Sequence, residues 1–310
     1  MTKLLQLYDR HGRLDAPEKS TIATIGVFDG VHCGHKALLR QLASFNPQLS
    51  TMVVTLTAHP SFILGRRNSE YWLDDPQEHL HLLFDAGAEY VAVMPFTREV
   101  AQLTACETAQ ILYKQLNMRG LLLGYDSRFG SKQDDDFDRL PQLASELGFS
   151  FTHGTPFLLD GQPVSSSRIR NSLAEGLVEN TATLLGRHYT LSGTVLHGRG
   201  MGHTLGFPTA NIDLSQTRKM LPKEGVYAVI LKNEDLGIRN CGMANLGIIP
   251  TFGIDKPTLE VHLLDFSGNL YGQHVTIEFI HRMRDIIHFG SAEALQSQLQ
   301  KDLEQARLWL

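Results

Sequence analysis

Residues 22–35, which read IATIGVFDGVHCGH, decide the fold that we expect for the first half of the chain. Ile22–Phe28 is apolar enough for a buried strand, Asp29–Gly34 forms a turn, and Lys36–Leu42 has helical spacing. Three more apolar runs of strand length follow, with helical patterns between them: Met52–Leu56, Pro76–Phe84, Tyr90–Met94, Ala105–Gln115 and Gly120–Gly124. Apolar strands that alternate with helices predict a parallel sheet covered on both faces, so we expect a doubly wound α/β domain over residues 1–185.

The pattern changes after about residue 186. Strand-like segments bounded by Gly, Pro, Asn and Asp follow one another with little helix between them: Tyr189–Leu196, Gly225–Lys232, Leu259–Phe266 and His274–Phe279. This pattern predicts an antiparallel sheet or small β-barrel over residues 186–310. Apolar residues at 295, 299, 303 and 306 predict a C-terminal helix that packs on the barrel. Ser167–Leu185 has a helical pattern and joins the two predicted domains.

The composition excludes several classes of protein. The chain has 310 residues, of which 42% are hydrophobic and 20% charged, as in ordinary globular proteins. The net charge of -5 offers no basic face for nucleic acid. Cys33, Cys106 and Cys241 form no CxxC pair, which favours reduced thiols over a metal cage. The sequence shows no signal peptide and no apolar run long enough to span a membrane, so we expect a cytoplasmic protein.

The turn after the first strand has the features of a phosphate site. The amino end of a helix presents unpaired N–H groups and partial positive charge, and Gly34 leaves room for a phosphate there. His32 and His35 are three residues apart, so both imidazoles can face the same side of the first helical turn. Two other interpretations stay open: the histidines are polar caps of an ordinary turn, or they bind a metal, although no third ligand lies at a telling spacing.

Two further patches have residues suited to a nucleotide. Asp126 lies in the loop Gly124–Gly130, which follows an apolar strand, and ligands usually sit at that edge of a parallel sheet. Hydroxyl and guanidinium groups follow one another at the start of a helix, at Ser165, Ser166, Ser167, Arg168 and Arg170. They suit phosphate, although a serine-rich helix cap with solvated arginines has the same pattern. The acidic run Asp134–Asp136 is interpreted as a solvated loop.

The second half contains the glycine-rich stretch GTVLHGRGMGHTLGFPTAN, residues 193–211. Its glycines let a backbone wrap an anion, but a dinucleotide-binding fingerprint is rejected because Phe207-Pro208 opposes a following helix. Thr209 and Asn211 are two apart, so on an extended segment their oxygen atoms face the same way and suit Mg²⁺ or phosphate. Glu260 lies inside an apolar strand, either as a general base or as an outward-facing residue.

These motifs resemble a known family. The stretch GVFDGVHCGH is similar to the HxGH signature of Rossmann-like nucleotidyltransferases, and its flanks resemble the bacterial bifunctional riboflavin kinase/FMN adenylyltransferase family, with Thr55–Pro60, Gly124–Gly130 and Val164–Arg170 matching further motifs in order. The resemblance implies transfer of AMP from ATP to FMN, which yields FAD and pyrophosphate. It places the following residues around ATP, with His32 and His35 in the catalytic role: Gly26, Phe28, Asp29, Gly30, His32, Gly34, His35, Asp126, Ser166, Ser167, Arg168 and Arg170.

The second half is similar to riboflavin kinases, whose domain is a small antiparallel barrel. The matching pieces are Leu205–Asn211, Pro222 with Gly225–Tyr227, Asn245–Gly247 with Pro250–Phe252, Leu259–Phe266 and Leu270–Gly272. The resemblance implies transfer of the γ-phosphate of ATP to the ribityl 5′-hydroxyl of riboflavin, with Glu260 as base and Mg²⁺ held by Thr209 and Asn211. It further implies an ATP site at Gly198, Gly202, Gly206, Pro208 and Thr209, and a flavin site at Asn245, Thr251 and Arg284.

The chain departs from the family pattern at Leu56, Ala58, Ser127, His203, Ile286 and His288. Two rival functions are therefore kept beside the leading one. The first is a riboflavin kinase with a weakened or repurposed adenylyltransferase domain, and the second is a nucleotide- or flavin-binding regulator without catalysis. Retention of the polar side chains of both predicted sites disfavours the regulator: His32, His35, Arg168, Thr209, Asn211 and Glu260.

Overall fold

A computed structural model describes residues 5–57, 71–131, 135–198, 202, 206–251 and 254–310. The chain divides into two compact units, Met1–Ser166 and Ser167–Leu310. The division at residues 185/186 stays a prediction. No helix in these described ranges is long and apolar enough to cross a membrane.

The first unit is built on a seven-stranded sheet of order β2-β1-β5-β4-β3-β6-β7. Its strands are β1 (Gln6–Asp9), β2 (Gly12–Leu14), β3 (Thr21–Ile25), β4 (Ser50–Leu56), β5 (Tyr90–Met94), β6 (Met118–Leu123) and β7 (Ser150–His153). Strands β3 to β7 are parallel, whereas β1 and β2 add an antiparallel edge. The chain builds β4 and β5 on one side of β3 and then β6 and β7 on the other. The switch point where ligands usually bind therefore lies between β3 and β6.

Helices cover this sheet: α1 (Cys33–Phe45), α2 (Pro76–Asp85), α3 (Ala105–Gln115) and α4 (Leu140–Leu147). All five residues of β3 are buried, because the strand is central and has helices on both faces. One apolar cluster joins α3 and α4 to the sheet, and another joins α1 and α2 to the opposite face. A short hairpin, β8 (Leu158–Leu159) with β9 (Gln162–Pro163), completes the unit.

The second unit begins with α5 (Ser166–Glu175) and α6 (Val178–Leu185), which a break at Gly176 separates. Gly176 has a left-handed φ of 78°, which ends α5, so the predicted single helical segment is two helices. A closed barrel of order β10-β11-β14-β13-β12-β15 follows. Its strands are β10 (Tyr189–Leu196), β11 (Ala210–Ile212), β12 (Gly225–Asn233), β13 (Ile238–Thr251), β14 (Ile254–Leu263) and β15 (His274–Arg284).

The C-terminal helix α7 (Ala292–Trp309) packs on the outside of the barrel. Ala306, with Leu299 and Leu303, joins a buried cluster with Phe207, Ala228 and Met243. The helix predicted from the apolar spacing is therefore confirmed, as are the doubly wound α/β unit and the antiparallel barrel. The barrel interior is filled by large side chains that include Tyr189, Tyr227 and Phe279.

Candidate active sites

The strand β3 ends earlier than predicted, and the residues after it form a tight turn. Ile25 is the last residue of the strand. Gly26 still donates its N–H to the Val54 carbonyl of the neighbouring strand β4, at 3.0 Å. Phe28 and Val31 then adopt positive φ angles of 54° and 32°, and Gly30 has φ 87°. Non-glycine residues in this region cost free energy and persist where their surroundings hold them, often at functional sites. The prediction of a strand to Phe28 was therefore wrong for its last three residues.

The two histidines of the motif lie together at the start of α1. His32 is the N-cap, and its Nδ1 accepts the N–H of His35 at 3.3 Å. The two imidazole rings stack with centroids 3.5 Å apart and planes 18° apart. The prediction that both rings face the same side of the first turn is confirmed. Because Nδ1 of His32 is an acceptor here, the proton of a neutral ring is on Nε2, where it can be donated to an anion.

Gly34 lies where no side chain fits. A Cβ atom on this residue would stand 2.9 Å from the Val164 carbonyl oxygen and 3.1 Å from the His32 ring. Such contacts are shorter than van der Waals contact allows, so a larger residue would displace the His32 imidazole or the backbone at residue 164. The glycine thus keeps the amino end of α1, an end that favours phosphate, close to the neighbouring segment.

The charge state of His35 is fixed by its surroundings. Burial lowers the pKa of His35 well below the ordinary value of 6.5, and His32 and His79 lower it further. Its Nδ1 is buried and has no hydrogen-bond partner among the residues that the structure describes. A buried polar atom without a partner is costly unless a ligand or water meets it. Burial therefore favours the neutral form of the His35 ring, and its Nδ1 has a hydrogen-bonding position left for a ligand.

We expect the His35 ring to stay neutral at pH values where an ordinary imidazole is already protonated. The unfolded chain then binds the proton more readily than the folded one, so this residue costs folding stability as the pH falls below 6.5. Bound ATP should raise the pKa of His35, because phosphate charge favours the imidazolium. Ring ¹⁵N NMR titration, with His35→Gln for assignment, measures both effects. Ordinary titration in the free protein, or no response to ATP, would contradict this assignment.

Two side chains beside the turn were missed by the sequence analysis. Asp74 is buried, and its Oδ2 accepts the Gly30 N–H at 2.8 Å and lies 3.3 Å from His79 Nδ1. The other His79 nitrogen lies 3.2 Å from Thr55 Oγ1. Neither Asp74 nor His79 belongs to a recognisable motif. Asp74 lies 44 residues after Gly30 in the sequence, although the two are hydrogen-bonded. Only the folded sheet brings them together.

The remaining predicted residues of the first site are placed as follows. Asp29 is buried, and its Oδ1 accepts the Leu73 N–H at 2.8 Å. Ser166 donates its hydroxyl to the Asp29 carbonyl at 2.8 Å. Asp126 lies exposed in the loop after β6, at the same edge of the sheet as the turn after β3. Ser167, Arg168 and Arg170 lie in α5 within the second unit, and their contact with ATP stays a prediction.

In the second unit, the barrel register gathers the predicted kinase residues into one row. Glu260 of β14 is paired with Asn211 of β11 on one side and with Asn245 of β13 on the other. Asn245 is paired in turn with Val226, and Val226 with Arg284. Residues directly opposite in antiparallel strands have their side chains on the same face, about 5 Å apart. The row therefore lies on the outer face of the barrel, because the neighbours of Glu260 along the strand, Leu259 and Val261, are buried.

A cavity of about 730 Å³ lies over this row, between the barrel and α7. It is lined by five predicted site residues, Gly202, Thr209, Asn245, Glu260 and Arg284. The apolar part of the lining includes Phe207, Met243, Ile286, Leu295 and Leu299. In the described part of the chain, no hydrogen bond or ion pair engages the Glu260 carboxylate, so it is available to a substrate hydroxyl. The cavity has the size and the mixed apolar and polar lining typical of small-molecule sites.

The glycine-rich segment packs against the row. A Cβ atom on Gly198 would stand 2.2 Å from Asn211 Nδ2, and one on Gly202 would stand 2.4 Å from the Phe207 carbonyl oxygen. His262, which the sequence analysis missed, has Nδ1 2.8 Å from the Pro208 carbonyl and also lines the cavity. It lies two residues after Glu260 on the same strand, so strand alternation alone was a signal for it. Gly206 has a left-handed φ of 84°, which a glycine tolerates.

The oxygen donors around Glu260 suit magnesium. The hydroxyl of Thr209 and the amide of Asn211 are hard ligands, and Mg²⁺ typically takes one or two such protein oxygens and completes its shell with water and substrate phosphates. Within the ranges that the structure describes, no three His, Cys, Asp or Glu side chains cluster as a metal cage. A second cavity of about 130 Å³ shares Thr209 and is lined mainly by apolar residues such as Val195, Leu263 and Leu270.

Some predicted residues have a different or undescribed environment. Thr251 is in β13 without a described side chain, and Ala58 and His203 lie outside the described residues. Ile286 and His288 line the large cavity, and Ser127 lies against Gly124, where a Cβ atom would stand 2.5 Å from its Oγ. Leu56 ends β4 and packs against the sheet core.

Arg284, predicted to bind flavin, is engaged by a carboxylate. Its Nε and Nη2 donate to the two oxygens of Asp302 at 2.9 and 2.6 Å, and Gln298 donates to the same carboxylate at 2.9 Å. The Asp302 carboxylate is fully buried. The pair fixes α7 to β15 beside the cavity, and flavin binding by Arg284 stays a prediction.

We expect Asp302→Asn to lower the free energy of unfolding by about 3–5 kcal/mol, because it leaves a partly buried guanidinium without its counter-charge. Asp265→Asn is the matched control. Asp265 forms an exposed ion pair at 2.9 Å with Arg307, which lies in α7 like Asp302. Its effect should stay below about 1 kcal/mol. Urea unfolding of the two variants measures the difference, and equal effects would show that burial of the Asp302 pair is not what stabilises α7.

Comparisons with known proteins identify a family for each half of the chain. The riboflavin kinase family model matches residues 185–310, and the FAD synthetase family model matches residues 14–168. A bifunctional riboflavin kinase/FMN adenylyltransferase of Haemophilus influenzae is 38% identical over 92% of each chain. One of Escherichia coli K12 is 36% identical over 96% of this chain and 95% of its own. A crystal structure described as a macrolide-efflux protein from Streptococcus pneumoniae superposes with a TM-score of 0.87 at 30% identity, covering 96% of this chain and 97% of that one.

With one family domain in each half and relatives that align over nearly their whole length, the chain belongs to the bifunctional riboflavin kinase/FMN adenylyltransferase family.

Proposed function

We propose that this enzyme phosphorylates riboflavin to FMN at the barrel site and adenylylates FMN to FAD at the site of the first unit, using ATP in both reactions. The observation that carries the kinase assignment is the Glu260 carboxylate, which lines a cavity of about 730 Å³ together with Thr209 and Asn245. The corresponding observation for the adenylyltransferase is the stacked pair of imidazoles at the amino end of α1.

In the kinase reaction, the flavin ring occupies the apolar part of the large cavity and the ribityl chain extends toward Glu260. Glu260 accepts the proton of the 5′-hydroxyl as its oxygen attacks the γ-phosphorus of ATP, and ADP leaves. Thr209 and Asn211 would hold Mg²⁺, which would neutralise phosphate charge when it is bound. The backbone at Gly198, Gly202, Gly206 and Pro208 follows the triphosphate, and Asn245, Thr251 and Arg284 orient the flavin.

In the adenylyltransferase reaction, a phosphate oxygen of FMN attacks the α-phosphorus of ATP and pyrophosphate leaves. His32 donates from Nε2 to a phosphate oxygen, and the neutral His35 ring adds a second hydrogen bond. Preorganised donors of this kind stabilise the charge that develops on the leaving group. Gly26, Phe28, Asp29, Gly30 and Gly34 shape the turn around the nucleotide. Asp126 and Ser166 complete the ATP site within the first unit, and contact of Ser167, Arg168 and Arg170 with ATP stays a prediction.

We further propose that the protein works in the cytoplasm on small molecules, namely riboflavin, FMN, FAD and ATP, and that it binds neither nucleic acid nor membrane. The net charge of -5 supports the absence of a nucleic-acid partner.

A chromatographic time course tests the proposed function. With riboflavin, ATP and Mg²⁺, we expect FMN to appear first and FAD to follow, with one pyrophosphate released per FAD. Accumulation of FMN alone would show that the protein has only the kinase activity. The formation of neither flavin nucleotide would support a binding protein without catalysis.

A further inference from the structure

Asp74, His79 and Thr55 form a hydrogen-bonded chain beneath the turn of the first site, here called the Asp74–His79–Thr55 relay. His79 Nδ1 lies 3.3 Å from Asp74 Oδ2, and His79 Nε2 lies 3.2 Å from Thr55 Oγ1. Asp74 and Thr55 are each only 2% exposed. An imidazole has nitrogen atoms on two edges, so the His79 side chain, which is 12% exposed, bridges a carboxylate and a hydroxyl.

The relay holds the turn at both ends. Thr55 Oγ1 donates to the Val27 carbonyl at 3.1 Å, and Asp74 Oδ2 accepts the Gly30 N–H at 2.8 Å. Phe28 and Asp29 lie between these two anchors, and Phe28 has the left-handed φ of 54°. A non-glycine residue keeps such a conformation only when its surroundings over-determine it, at a cost of about 1–3 kcal/mol. The relay supplies that constraint from β4 and from the segment before α2.

The turn at residues 27–31 sets the position of the His32 and His35 imidazoles. Val31 N–H donates to the Phe28 carbonyl at 2.9 Å, and His32 follows as the N-cap of α1. The Phe28 ring meets the His35 ring edge to face, with centroids 5.1 Å apart. His79 is also close enough to lower the pKa of His35. Relaxation of the turn would therefore displace both imidazoles that face the phosphates.

We propose that Asp74 and His79 are positioning residues for FMN adenylylation, which hold the turn at residues 27–31 so that His32 and His35 meet the ATP phosphates. The inference rests on the proposed FAD-forming activity of the first unit. Neither side chain touches the nucleotide in this account, since both act through the backbone of the turn. A displacement of the order of 1 Å in catalytic groups can cost about 100-fold in rate.

His79→Leu is the main test, because it keeps the volume of the side chain and removes both hydrogen bonds. We expect kcat for FMN adenylylation to fall about tenfold or more, with the KM for ATP changed less than about threefold, as for a loss confined to the transition state. Riboflavin phosphorylation in the same preparation should be unchanged. His81→Leu is the matched control, because His81 is an exposed histidine of the same helix.

Two further variants separate positioning from general destabilisation. Thr55→Val is nearly isosteric and removes only the hydroxyl, so it tests the relay even if His79→Leu folds poorly. Asp74→Asn keeps an acceptor for Gly30 N–H and a polar contact to His79, so it should retain more kcat than Asp74→Ala. Combining Asp74→Ala with His79→Leu should cost no more than the worse single change, because both break one relay.

The outcomes are distinguishable from failure of the proposed function. If the unaltered protein makes no FAD, the proposed activity is wrong and the relay has nothing to position. If it makes FAD but His79→Leu and Thr55→Val match its kcat, the relay proposal is overturned. Equal losses for Asp74→Asn and Asp74→Ala, or multiplied losses in the double variant, would also contradict it.

Discussion

Glu260→Gln is expected to stop the formation of FMN from riboflavin while the conversion of FMN to FAD continues at its normal rate. The amide has the shape of the carboxylate but cannot accept the proton of the ribityl hydroxyl. Loss of a general base typically lowers a rate by about 10²–10⁴-fold. The register fixes Glu260 between Asn211 and Asn245, so the substitution should leave the barrel intact. Separate initial rates with riboflavin and with FMN as substrate measure the two reactions.

Glu234→Gln is the control for this experiment, because Glu234 is exposed in the turn between β12 and β13 and lies outside both cavities. It should leave both rates unchanged. If a well-folded Glu260→Gln enzyme still phosphorylated riboflavin at the normal rate, Glu260 would not be the general base.

His32→Ala is expected to have the opposite pattern: FMN forms from riboflavin but is not converted to FAD. The loss of a preorganised hydrogen-bond donor to the transition state typically costs about 10²–10³-fold in kcat. The change also removes the cap that Nδ1 provides to the His35 N–H, which costs about 1 kcal/mol of stability. The activity loss therefore has to be separated from the loss of the cap.

His32→Asn makes that separation. Asparagine is a favoured N-cap and can still accept the His35 N–H, but it has no imidazole to donate to phosphate. We expect His32→Asn to lose FAD formation as fully as His32→Ala while keeping more stability. If His32→Asn retained the activity and His32→Ala lost it, His32 would be a structural cap and not a catalytic group.

The elements that the sequence predicted well have strong and local signals. Tyr90–Met94 and Ala105–Gln115 have the predicted bounds, because a fully apolar run and a Thr104–Glu107 capping box mark them clearly. Strands β1, β2, β7, β8, β9 and β11 were missed, since they are short and their pairing with other strands supplies most of their stability. The 14-residue strand β13 was missed as well. The early end of β3 follows from the anchored turn at Val27–Gly30, which depends on Thr55 and Asp74 elsewhere in the chain.

In the candidate sites too, residues with a local sequence signal were predicted, and residues that depend on contacts between distant segments were not. His32, His35, Thr209 and Asn211 were selected as candidates from short motifs, because their spacing has a direct meaning on a helix or strand. The row that joins Asn211, Glu260 and Asn245 needed the register of three strands. His262, Asp302 and the Asp74–His79–Thr55 relay were not found, since each depends on a contact between segments far apart in sequence. A single sequence contains no local signal for contacts between such distant segments.

Complementation between variants tests most directly whether the chain has two separate active sites. From riboflavin and ATP, Glu260→Gln alone should yield neither FMN nor FAD, and His32→Ala alone should stop at FMN. A mixture of the two variants should yield FAD, because the FMN released by the second is adenylylated by the first. A mixture that stopped at FMN, with each variant well folded, would contradict two independent sites.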